Sequence, residues 1–100
     1  MKRYIKSSFD YQSMFSNVVR FFKEYVKNRS DVSYASYNDY RVIPDDLGSG
    51  IAVELQWDGD LSEKDLSNDI RDRFYFVTCN KSFGKFDHQI TVHIPERVFK

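Results

Sequence analysis

From Tyr11 onward the apolar residues Met14, Phe15, Val18, Val19, Phe21, Phe22, Tyr25 and Val26 recur at helical spacing. That spacing predicts a first amphipathic helix with one apolar arc turned to a core. The opposite arc carries Arg20, Lys23 and Lys27, which places a basic stripe along the solvent side. Asn28, Arg29 and Ser30 signal the helix end. Residues 32–37 (VSYASY) and 40–44 (YRVIP) are rich in β-branched and aromatic side chains, with Asn38-Asp39 between them. This is two-residue turn chemistry, so a hairpin is expected. After Pro44-Asp45-Asp46 and LGSG, the segment IAVELQW alternates Ile51, Val53, Leu55 and Trp57 with Ala52, Glu54 and Gln56. It reads as a strand with one core face and one polar face.

A second helix is announced by its ends. Ser62 is placed as N-cap with Asp65 three residues on, and Leu61 and Leu66 are spaced as a hydrophobic staple. Glu63 and Asp65 suit the positive end of the helix dipole, and Arg71 and Arg73 the negative end. Leu66, Ile70 and Phe74 form its core stripe. FYFVTC (74–79) and HQITVHI (88–94) then read as two strands joined by a loop from Lys81 to Asp87. The order α-β-β-β-α-β-β implies a single compact α+β domain over residues 1–100. Its links favour a mostly antiparallel sheet of about five strands with both helices packed on it.

Composition narrows the functional classes. The chain has 15 cations and 15 anions, so no global field draws it to nucleic acid or lipid, and any charged partner is met by a local patch. Such patches exist. Residues 1–29 hold seven cations against two anions, and residues 39–69 hold nine anions against two cations. A hydrophobic content of 41% with 17% aromatics lies outside the disordered regime. One cysteine makes no internal disulfide or zinc cluster, which fits a reducing cytosol, and no metal or cofactor is expected. The start MKRYIKSSFD lacks the apolar core of a signal peptide, and no apolar run is long enough for a membrane span. A soluble cytoplasmic protein without membrane contact is therefore expected.

Asp45, Asp46, Asp58, Asp60, Glu63, Asp65 and Asp69 fall on predicted loops and the edge of the second helix. They form a candidate surface for a basic partner, in the manner of a protein that imitates a nucleic-acid backbone. Tyr37 and Tyr40, near the predicted turn, are candidate apolar anchors for it. Turn and cap chemistry accounts for the same acids without a partner. Arg20, Lys23 and Lys27, with Lys2, Arg3 and Lys6 nearby in sequence, are the alternative: a small RNA- or DNA-binding module contacting phosphates. The α-β-β-β-α order is similar to that of double-stranded-RNA-binding domains, but Glu63, Asp65 and Asp69 at the second helix repel phosphate.

Three further features have structural readings. Tyr34 shares strand parity with Val32, which places at least one of them in the core. His88 and His93 lie five apart on one predicted strand and face opposite sides, so they cannot chelate together, and Cys79 reads as a small core residue. Asp58-Gly59-Asp60-Leu61-Ser62 begins like a calcium loop but has Glu63 where that loop needs glycine.

Pro44-Asp45 and Glu54-Leu55-Gln56 resemble the PD...(D/E)xK pattern of the restriction-nuclease superfamily, whose shared core also runs α-β-β-β-α-β. The resemblance implies that Asp45 and Glu54 hold a divalent cation for phosphodiester hydrolysis, with Gln56 on the same face. Gln56 stands where that family has lysine, which removes a cation from the site. The opening Met1-Lys2-Arg3-Tyr4-Ile5-Lys6-Ser7-Ser8, leading into an amphipathic helix, resembles small accessory proteins of Gram-positive phages and conjugative elements. Some anti-CRISPR and anti-restriction proteins belong to that group. This resemblance implies a non-enzymatic inhibitor, acting in a bacterial host's cytoplasm by binding a host protein or nucleoprotein complex.

Overall fold

The strict alternation of residues 51–57 becomes the central strand of the sheet. A computed structural model describes residues 2–43 and 50–95, with side chains from Tyr11 onward. Along the chain run α1 (Lys2–Val26), β1 (Val32–Tyr37), β2 (Arg41–Ile43), β3 (Gly50–Gly59), α2 (Glu63–Arg73), β4 (Thr78–Lys81) and β5 (His88–Pro95). The five strands make one sheet in the order β1-β3-β5-β4, with β2 also on β3, and every pairing is antiparallel. The α+β architecture and element order are those the sequence pattern implies. The first helix is longer than its apolar periodicity suggests, beginning at Lys2.

The expected hairpin does not form. β1 and β2 lie end to end along one margin of β3, with Tyr37 opposite Leu55 and Arg41 opposite Ala52. Asn38, Asp39 and Tyr40 therefore face only Val53 and Glu54, and the step between the strands is a bulge in one long edge. Asn38 N–H donates to the Glu54 carbonyl (3.1 Å), and its Nδ2 donates to Glu54 Oε1 (2.8 Å). The first of those bonds satisfies a carbonyl on the margin of β3 between the two paired stretches.

FYFVTC is likewise not one strand. Phe74 caps α2, its N–H donating to the Ile70 carbonyl (2.7 Å), and Val77 N–H returns to the Phe74 carbonyl (3.0 Å), so β4 begins only at Thr78. Phe74 completes the buried stripe of α2 with Leu66 and Ile70. The run's first ring, buried at the helix end, is stabilised by removing its apolar surface from water.

Both helices cover one face of the sheet. Val18 and Phe22 of α1 and Leu66 and Ile70 of α2 are buried against Ile51, Val53, Leu55 and Trp57 of β3 and Ile90, Val92 and Ile94 of β5. Each such side chain contributes about 1.5–3 kcal/mol of transfer free energy. The helices run in opposite senses: Phe21 meets Phe74 edge-on at 5.8 Å, and one turn later in α1 Tyr25 reaches Asp69.

Among the described residues no helix covers the other face, yet it is not simply solvated. Ala52, Gln56 and Gln89 are buried there, contrary to the expected polar face. The segment 82–87 lies across the Gln89 end of that face. Ser82 N–H donates to the Gln89 carbonyl (3.0 Å), Gln89 Nε2 donates to Ser82 Oγ (3.2 Å), and Phe86 stacks on Tyr34 of β1. Gly84 permits this approach, since a Cβ at that position would collide with the Gln89 side chain.

Candidate functional site

The acidic residues come together where β3 ends. Gly59 adopts φ +129°, and a Cβ there would run into the Asp31 carbonyl. That carbonyl accepts from Asp60 N–H (2.8 Å) and Leu61 N–H (3.2 Å), pinning the start of the turn into α2. Ser62 then caps the helix as its sequence position predicts, with Oγ accepting from Asp65 N–H at 3.1 Å. From the far side, Asp87 N–H donates to Asp58 Oδ1 (2.8 Å) and Gly59 N–H donates to Asp87 Oδ2 (3.2 Å).

One end of the molecule thus gathers Asp58, Asp60, Glu63 and Asp65, together with Asp31 and Asp87, which sequence reasoning did not include. Asp87 lies far from the acidic stretch in sequence. Only the pairing of Trp57 with His88 brings it beside Asp58.

His88 ties this end to the core. Its Nδ1 faces Glu63 Oε2 at 2.7 Å, its Nε2 faces the Gly59 carbonyl at 2.8 Å, and its ring stacks on Trp57 with centroids 5.4 Å apart. Both partners are pure acceptors, so both ring nitrogens donate only in the imidazolium form. Burial opposes that charge, but the bonds to Glu63 and Gly59 prevail and hold the His88 pKa above its ordinary value. Burial likewise opposes the Glu63 carboxylate, yet its bond to His88 keeps its pKa below the usual range.

The candidate acids differ in what the fold asks of them. Asp58 and Glu63 hold loops and His88, Asp31 pairs with Arg29 through two bonds of 2.8 and 3.0 Å, and Asp69 accepts from the Tyr25 hydroxyl at 2.5 Å. Asp60 and Asp65 are exposed. Their carboxylates make no hydrogen bond or ion pair among the described residues. Lys64 and Lys85 are the cations of the same segments. Asp45 and Asp46 lie outside the described residues.

Tyr37 and Tyr40 do not share this end. They pack on Phe15 of α1 (6.1 and 5.1 Å), further back along β3. The aromatic surface beside the acids is Tyr34, opposite Asp58 in register, 53% exposed and stacked on Phe86 at 5.5 Å with a 16° interplanar angle. Val32, displaced from Tyr34 by a bulge, packs against the core instead.

The basic stripe is a separate surface. Arg20 and Lys23 are exposed on α1 and Lys27 is exposed just beyond its end, and Lys23 stands over the Tyr37 ring at 5.2 Å. The side chains of Lys2, Arg3 and Lys6 lie outside those described. Of the nuclease-like trio, Asp45 lies outside the described residues. Glu54 is held by Asn38 (2.8 Å) and faces Arg41 (3.6 Å), while Gln56 is buried. Among the described residues no three His, Cys, Asp or Glu side chains converge as a metal site.

His88 and His93 face opposite sides of the sheet, and His93 Nε2 is buried without a hydrogen-bond partner, closed over by the backbone of Gly50. Cys79 packs against the core, and burial pushes its thiol up to about 11. Among the described residues no helix is long and apolar enough to cross a membrane. Compared with known proteins, the chain matches no family model, no curated protein and no solved structure.

Proposed function

We propose that this chain is a non-enzymatic interaction protein that docks its acidic end on a basic surface of a host protein or nucleoprotein complex. The reading extends to the context suggested by the opening residues, a mobile-element inhibitor of a host CRISPR or restriction complex in the bacterial cytoplasm. One observation carries it: Asp58, Asp60, Asp65 and Asp87 meet at one end, beside the exposed Tyr34 ring stacked on half-buried Phe86. Carboxylates around an aromatic platform give a surface both charge complementarity and a large apolar contact. The tight backbone ties of Asp31, Gly59 and Asp87 hold that surface in shape before any partner arrives, which lowers the ordering cost of binding.

The test is a pull-down from a nuclease-treated Gram-positive lysate with wild type and with the D60K/D65K variant, read by mass spectrometry and by salt titration. A protein retained by wild type, released by salt and lost from the variant is the expected result. Retention of nucleic acid alone, lost on digestion, overturns it and moves the contact to Arg20, Lys23 and Lys27.

A further inference from the structure

Between α1 and the turn that follows α2 lies a groove of about 430 Å³. Its apolar lining is Met14, Phe21, Phe74 and Phe76, and its charged groups are Arg20, Arg73 and Glu24. The rings form a continuous series: Phe21 meets Phe74 at 5.8 Å, Phe74 meets Phe76 at 6.4 Å, and Phe76 meets Tyr75 at 5.6 Å. Tyr75, at the outer end, is 87% exposed. Arg73 stands over the Phe74 ring at 5.2 Å, which fixes its guanidinium at the groove while leaving its outer edge to bind.

We infer that this groove is a second docking site, taking a partner segment that carries a carboxylate next to an aromatic or long aliphatic side chain. The apolar side chain rests on Met14, Phe21 and Phe76, and the carboxylate meets Arg20 and Arg73, for which a planar bidentate acceptor is the fitting group. Charge decides between occupants. The groove itself has two cations and one anion, and Asp69 and Asp72 stand on the adjoining surface of α2. A single carboxylate seated at Arg20 and Arg73 meets the two cations of the groove, whereas a nucleic-acid strand would run its phosphates past Glu24, Asp69 and Asp72. Arginine, methionine and aromatic residues are also the types enriched where protein interfaces concentrate their energy. The groove is separate from the acidic end and stands or falls independently of it.

Random linear peptides displayed on phage are selected on the full-length protein and, in parallel, on R20E/R73E. Both arginines are exposed, and far-UV circular dichroism with Trp57 fluorescence verifies that the variant is folded. The wild type is expected to enrich peptides bearing Asp or Glu within a few residues of Phe, Trp or Leu. R20E/R73E is expected not to enrich them. A synthetic peptide from that set should bind at least about tenfold more weakly to R20E/R73E and to F76S. It should bind E24Q more tightly than wild type, because a like charge has been removed, and D60K/D65K unchanged. Identical sequences enriched on wild type and R20E/R73E, or no enrichment on either, overturn the proposal. So does labelled oligothymidylate bound by wild type and released by the same substitutions.

Discussion

His88 lies almost parallel to Trp57, 5.4 Å away at 22°, while its two ring nitrogens face the Glu63 carboxylate and the Gly59 carbonyl. The arrangement makes the join between α2, β3 and β5 depend on charge. His88 is raised from 6.5, so its contribution is complete below pH 6.5 and is lost as pH rises through the higher folded-state value. Glu63 is lowered from 4.5, so its contribution is present above pH 4.5 and is lost as pH falls through the lower folded-state value. The pair is therefore fully engaged between those two ordinary values. Urea unfolding across pH should show stability falling on both sides, and H88Q should remove the decline that begins above pH 6.5. Hydrogen bonds to charged groups of this kind contribute about 1.5–3 kcal/mol. Trp57 is the single tryptophan, and an imidazolium stacked on its ring quenches it, so its fluorescence should rise as His88 loses its proton. A pH-independent Trp57 signal in the folded protein would show that the stack does not carry the charge.

Tyr25 and Asp69 make the corresponding join between the two helices. Burial first, and then the hydrogen bond to the Asp69 carboxylate, push the Tyr25 phenol up to about 12. Near-UV difference absorbance should resolve one tyrosine ionising there, absent in Y25F. D69N should lower that pKa, since an amide accepts the bond without the negative charge. Because the folded value lies above the ordinary one of 10.0, stability should decline as pH rises from 10 toward 12. The decline should be smaller in Y25F.

What the sequence revealed and what it hid follow from the range of the interactions. Ser62, Leu61 and Leu66 were legible as a helix start because capping acts within one turn, and Ile51 to Trp57 as a core strand because its alternation is local. Asn38-Asp39 misled because turn chemistry also suits a bulge, and the choice was made by pairing along the margin of β3, which local residues do not encode. Phe74 to Val77 misled because aromatic residues favour strands until a helix needs one of them to complete its buried stripe. At the site, Glu63 and Asp65 were visible as first-turn acids. Asp87 and the Tyr34–Phe86 stack were not, because they depend on strand register and on a loop crossing two strands.

The turn at Gly59 should tolerate no side chain. At φ +129° an L-residue is strained, and the new Cβ has only the backbone of Asp31 and Val32 to push against. G59A should lose about 1–3 kcal/mol from conformation alone and more from the collision. By contrast, Asn28, at φ 66° just beyond α1, occupies a position that glycine adopts without cost. N28G should leave stability within a few tenths of a kcal/mol or raise it, and N28V should lower it by about 1–2 kcal/mol. Thermal melts of the three variants, compared at one pH, check the contrast.

Charge reversal should separate the acids that build the surface from those offered to a partner. Asp60 and Asp65 have exposed carboxylates with no hydrogen bond among the described residues. D60K should therefore shift the urea midpoint by less than about 0.5 kcal/mol equivalent, and D65K by about 0.3–1 kcal/mol as the helix dipole loses a favourable charge. D58K and E63K behave differently, since the first removes the acceptor for Asp87 N–H and the second the partner of His88. E63K also sets a second cation beside the imidazolium, and its loss should exceed that of E63Q. Measured at pH 6, where the His88 interaction is complete, the order of stability should be D60K, D65K, E63Q, E63K from highest to lowest. If D60K/D65K keeps this stability and still binds the wild-type partner with unchanged affinity and salt dependence, the acidic end is a structural feature and not a docking surface.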